Sequence, residues 1–146
     1  MPPLERALPI GDTLDRGSAM DRFLLVCFGG ALGTGARYLV AIGAPRILGT
    51  TFPYATLTVN VVGSFLLGAI MHVGLTTNLM SPGLRLTLAT GVVGGFTTYS
   101  TFNYETIEFL REGAYWLAGL NVAATLLLCL LAGALGLAAG RWLVGS

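Results

Sequence analysis

Apolar residues fill four long stretches of the chain, separated by short clusters of polar, charged and proline positions. The first runs from about Phe23 to Ile42 and meets Pro45-Arg46. The second runs from about Pro53 to Leu75 and closes on Thr76-Thr77-Asn78. The third spans roughly Leu84 to Leu110, and the fourth about Ala114 to Val144. Each has the ~20 residues needed to cross a hydrocarbon core as a helix. The connections are short, which makes neighbouring helices antiparallel. Residues 1–21 hold three Pro and six charges without helical periodicity, and they read as a flexible N-terminal tail. Met20 is an alternative start, and no apolar core follows a basic start early enough to make a signal peptide. The pattern predicts an all-α integral membrane domain of four transmembrane helices over residues 22–146.

Composition sharpens this picture. The chain is 54% hydrophobic and 10% charged, against about 25% charged residues in soluble domains. No Asp or Glu lies between Asp21 and Glu105, and no charge between Glu112 and Arg141. A net charge of +1 without a basic patch excludes nucleic acid as a partner. Cys27 and Cys129 sit in apolar stretches, and His72 is alone, so neither a disulfide framework nor a His-based metal centre is indicated. Ser64 and Ser100 have no nearby histidine base, and no paired carboxylates lie at membrane depth. Covalent catalysis has no support, and the chain does not read as an enzyme.

All eight basic residues are Arg. Arg6, Arg16, Arg22, Arg85 and Arg141 fall on one side of a four-span topology, and Arg46 and Arg111 on the other. Counted from Met20 the bias is three against two, too weak to fix one orientation. Charge alone leaves open a single orientation with cytoplasmic termini and a dual topology that permits an antiparallel homodimer.

Small or polar residues recur every four positions: Gly29, Gly33 and Arg37; Thr56, Asn60, Ser64 and Gly68; Asn121, Thr125, Cys129 and Gly133. This spacing puts each set on one helical face. The glycines suit close helix packing in lipid. Asn60 and Asn121 carry amides that are costly at membrane depth without partners, so they line a polar path or lock an interface, with the path favoured. The third span contains Gly94-Gly95 followed by Thr97, Thr98, Ser100 and Thr101. That is a poor continuous helix, and a break there would free backbone carbonyls able to coordinate a cation. Tyr99 and Phe102 share a face. Plain packing is the favoured explanation of that spacing, the other being presentation of their positive ring edges to an anion. Arg37 either snorkels or faces a water-filled vestibule. Glu105 pairs with a cation or an Arg, or caps the polar stretch.

Three motifs in order then become recognisable: Gly29-Gly30-Ala31-Leu32-Gly33 with Gly35-Ala36-Arg37-Tyr38, Thr58-Val59-Asn60-Val61-Val62-Gly63-Ser64-Phe65, and Gly94-Gly95-Phe96-Thr97-Thr98-Tyr99-Ser100-Thr101-Phe102. From about Arg22 to Gly140 the chain resembles the Fluc/CrcB family of fluoride channels. The resemblance implies a fluoride-selective passive channel of the cell (inner) membrane, built as an antiparallel dual-topology homodimer with two pores. It implies pore roles for Asn60, Tyr99, Phe102 and Ser64, and a polar track through Asn121 and Thr125. Arg37 matches the vestibule arginine, and Glu105 the acid that follows the hydroxyl run of Thr98, Ser100 and Thr101. The carbonyls of Gly94 and Thr97 match those that hold a structural Na⁺ at the dimer centre. Tyr99 stands where the family usually has Phe, and Cys129 places a weak donor on the polar track. The alternatives are a non-conducting membrane assembly subunit and a proton-coupled exporter of the small multidrug-resistance type. The latter wants an acid in its first span, where this chain has Arg37.

Overall fold

The computed structural model describes residues 16–145, and every regular element among them is helical. Helix α1 is Arg16–Leu48, and α2 is Tyr54–Thr76. The next rod, α3 (82–96), joins an α-helical turn Pro82–Leu86, a π-helical stretch Thr87–Val93 and a last turn Gly94–Phe96. After an extended Thr97-Thr98 the chain re-enters a helix, α4 (Tyr99–Arg111), and α5 is Tyr115–Val144. Helices α1, α2 and α5 are each long and apolar enough to cross a membrane. The third crossing is split into the half-helices α3 and α4.

Two expectations need correction at the N-terminal end. Residues 16–21, read as part of the tail, already belong to α1; residues 1–15 lie outside the described residues. Pro45 does not end the first helix either. It sits inside the last turns of α1, which closes at Gly49, where φ is +83° and a glycine costs least. The other spans agree with the hydropathy pattern to within one or two residues, because apolar runs bounded by polar loops define them directly.

The glycine faces set the packing. A Cβ on Gly33 would collide with Val92 O and approach Phe96 N to 2.8 Å, so the backbones of α1 and α3 touch there. On the other side of the bundle a Cβ on Gly68 would lie 2.5 Å from Gly133 O, and one on Gly136 would collide with Phe65 O. Residue numbers rise together along both contacts, Gly29 meeting Thr87 and Gly33 meeting Val92 on one, Ser64 meeting Gly133 and His72 meeting Gly140 on the other. Helix α1 therefore runs parallel to α3 and α2 parallel to α5, as alternate crossings of an up-and-down bundle must. Contacts of α2 with α3 and α4 run the other way: Gly74 meets Arg85, Asn60 meets Thr98, and Thr56 meets Glu105. Large apolar side chains such as Phe23, Phe28, Leu39, Leu127 and Leu130 point outward, a surface suited to lipid. Arg85 donates to Gly74 O in the last turn of α2, placing a cation at that helix C-terminus.

A cleft beside the broken helix

The break in the third crossing falls at Thr97-Thr98, two residues past Gly95 and within the glycine- and hydroxyl-rich stretch expected to break. Both glycines keep helical backbone, with Gly94 at φ −61° and ψ −38°. What ends α3 is a competitor on α2. Asn60 Oδ1 accepts the Thr98 N–H at 2.8 Å, and Asn60 Nδ2 donates to Thr98 O at 3.0 Å. In a continuous helix that N–H would reach Gly94 O. The Asn60 amide thus satisfies both backbone groups of the residue at the gap, which lipid cannot do. Thr98 also starts α4, its hydroxyl accepting from Thr101 N at 3.2 Å and donating to Thr101 Oγ1 at 2.9 Å.

The last turn of α3 is held from the opposite side. Gly95 O accepts from Arg37 Nε at 3.1 Å and from Thr34 Oγ1 at 3.4 Å. Arg37 therefore lies against the C-terminal end of a half-helix, where a cation offsets the negative end of the dipole. Gly95 itself is required by the approach of α1, since a Cβ there would lie 2.5 Å from Gly30 O. Gly94 faces outward, with only Ala89 O, at 3.9 Å, near where a Cβ would be.

A cleft of about 620 Å³ runs alongside this break between α2, the α3–α4 junction and α5. It brings together Asn60, Ser64, Gly94, Thr97, Tyr99, Phe102 and Thr125 of the expected site residues, with Cys129 also in its lining and Leu67, Val93, Leu126 and Leu130 as apolar wall. The Tyr99 and Phe102 rings stand 5.7 Å apart and tilted by 54°, and Tyr99 is 77% exposed. The Thr125 hydroxyl is buried and without a hydrogen-bond partner among the described residues. The Ser64 hydroxyl is already spent, because it donates to Asn60 O on its own helix at 2.7 Å. Ser64 therefore offers the cleft lone pairs where a donor was expected.

Other expected residues stand apart from the cleft. Asn121 is 1% exposed, and its Nδ2 donates to Thr106 Oγ1 at 2.9 Å. Asn121 does not line this cleft, and one N–H of its amide is engaged between α5 and α4. Glu105 takes a hydrogen bond from Thr56 Oγ1 at 2.7 Å and lines a separate hollow of about 430 Å³ with Thr101 and Tyr104. It pairs with no Arg among the described residues. Thr98, Ser100 and Thr101 form the hydroxyl cluster at the start of α4. Thr106 was not singled out by sequence. Its position four residues after Phe102 was the available signal, since a threonine hydroxyl there reaches back to the Phe102 carbonyl.

The profile of the family described as CrcB-like protein, Camphor Resistance (CrcB), matches residues 24–137. Three curated proteins, each named Fluoride-specific ion channel FluC, illustrate the similarity. That of Sorangium cellulosum is 55% identical over 128 residues, covering 87% of this chain and all of the relative. That of Anaeromyxobacter dehalogenans is 52% identical over 126 residues, covering 86% and 100%. That of Geobacter sulfurreducens is 48% identical over 124 residues, covering 85% and 100%.

Proposed function

The chain belongs to the CrcB family, and from that premise we propose that it is a fluoride-selective passive channel of the cell membrane, with the cleft beside Thr97-Thr98 as its ion path. The observation that carries this assignment is the meeting of an amide, a buried free hydroxyl and two tilted rings at one helix break. Fluoride is small and strongly hydrated, so a path must replace its water with donors. The Asn60 amide has two N–H bonds, of which one is committed to Thr98 O. Thr125 has a hydroxyl proton to give, and the ring edges of Tyr99 and Phe102 carry partial positive charge. The Tyr99 phenol adds one further donor. Chloride is larger and a weaker acceptor, so a narrow run of such donors rejects it by size and by donors left unpaired. Arg37 keeps a positive charge at the end of α3, which favours anions nearby. Acid outside the cell makes neutral HF, which crosses lipid and dissociates within; the path then lets fluoride leave down its gradient.

The cleft opens to the exterior of the bundle at Tyr99, which is 77% exposed. A second copy in the opposite orientation completes it, a pairing consistent with the weak Arg bias. Two copies give two paths related by a two-fold axis. The Gly94 and Thr97 carbonyls would hold a structural Na⁺ between them. They fit: the donor that a continuous helix supplies to Gly94 O is diverted to Asn60, Gly94 is exposed, and carbonyl oxygens at half-helix ends suit Na⁺. When bound, the ion supplies positive charge that offsets the negative ends of two half-helices.

Liposomes loaded with potassium fluoride and carrying the purified protein should release fluoride on addition of a potassium ionophore, and liposomes loaded with chloride should not. Equal release of both anions would sink the assignment. Fluoride release should also fall when all Na⁺ is exchanged for N-methylglucamine; a rate indifferent to that exchange would remove the structural ion from the reading.

A further inference from the structure

A directional hydrogen-bond chain links α5 to the backbone of a ring in the cleft. Asn121 Nδ2 donates to Thr106 Oγ1 at 2.9 Å, and Thr106 Oγ1 donates to Phe102 O at 2.8 Å. The polarity is fixed. A hydroxyl has one proton, so Thr106, having given it to Phe102 O, meets Asn121 only as an acceptor. Asn121 is 1% exposed, and an amide so deeply buried does not give up a partner without cost. A threonine hydroxyl bonded to the carbonyl four residues back is a device that often bends a helix. The bond here joins Thr106 to Phe102 in the first half of α4, the half that carries Tyr99 and Phe102.

We propose that Thr106 and Asn121 are positioning residues for conduction, which together set the angle of the first turn of α4 and hence where the Phe102 ring stands in the cleft. Neither residue lines the cleft, so neither touches the ion. The inference rests on the reading of the cleft as the fluoride path. Glu105 and Thr101, two polar neighbours on α4, are bonded elsewhere, to Thr56 and Thr98. The chain from Asn121 is the link that ties this turn to α5 through side-chain polar groups among the described residues.

The test uses the full-length protein in liposomes, reading fluoride release per folded channel together with the ratio of fluoride to chloride release. Thr106→Val keeps shape and loses the hydroxyl; Thr106→Ser restores it; Asn121→Leu removes the donor from the other helix. Thr106→Val and Asn121→Leu are expected to lower fluoride release about tenfold and to narrow the fluoride-to-chloride ratio. The corresponding barrier change is ~1.4 kcal/mol. Thr106→Ser should conduct like the parent, and the Thr106→Val/Asn121→Leu double variant should lose no more than either single change. A Thr106→Val channel with parental rate and ratio would overturn the proposal, as would additive losses. Failure of both single variants to give monodisperse helical protein would overturn it too, because the chain would then hold the fold and not the ring. A parent protein that releases no fluoride would instead overturn the functional reading itself.

Discussion

Asn60→Leu is expected to abolish fluoride release, while Ser64→Ala, one turn away in the same cleft, leaves it within about a factor of three. The two side chains look alike by sequence, since both are polar and both lie on the inner face of α2. Their hydrogen bonds differ. Asn60 holds both the N–H and the C=O of Thr98, whereas Ser64 donates to its own helix and gives the cleft no proton. Leucine at residue 60 matches the size of the amide but leaves two backbone groups unpaired at membrane depth. Each such orphan costs ~1–3 kcal/mol, so the helix gap must close or shift. Thr97, Thr98 and the rings of Tyr99 and Phe102 would shift with it. The measurement is fluoride release per reconstituted channel, with helical content checked by circular dichroism. An Asn60→Leu channel conducting at the parental rate would show that the clamp at Thr98 has no part in the path.

The same clamp explains which parts of the site could be read from sequence. Four crossings were legible because lipid imposes long apolar runs with polar ends, and each run declares its own length. A discontinuity in the third crossing was legible too, since Gly94-Gly95 and four hydroxyl residues are a poor helix. The residue within that stretch at which it falls was not. A helix stops where another group outbids the i→i−4 bond, and that group is Asn60, 38 residues away on α2. The glycines serve a different end: Gly95 admits α1, and Gly94 leaves a carbonyl face open. Asn121 shows the same limit. A buried amide announces that it needs a partner but does not name it, and Thr106 meets it only through the packing of α4 on α5. The Pro45 exit failed for a local reason. Proline near a helix end forfeits one hydrogen bond, and the last turn of α1 still continues to the left-handed Gly49.

Gly33→Ala should prevent the protein from accumulating in folded form, whereas Gly35→Ala, the same change two residues along the same helix, should be neutral or slightly stabilising. Composition treats these two among 21 equivalent glycines, but the structure separates them. A Cβ on Gly33 would overlap Val92 O and come within 2.8 Å of Phe96 N, both rigid backbone atoms in α3. No rotamer relieves a clash between a methyl and a peptide group, so α1 and α3 must move apart along their whole contact. Overpacking of this kind costs ~1–3 kcal/mol even where side chains can yield, and here they cannot. Separation would also draw Arg37 and Thr34 away from Gly95 O, freeing a carbonyl at the end of α3. Gly35 has nothing within 4 Å of its missing Cβ, so alanine there clashes with nothing and removes a helix-weakening residue worth up to ~1 kcal/mol in a soluble helix. The comparison is read as the yield of monodisperse protein after extraction and as its thermal midpoint in detergent. Equal behaviour of the two variants would mean that the tight α1–α3 contact does not govern folding.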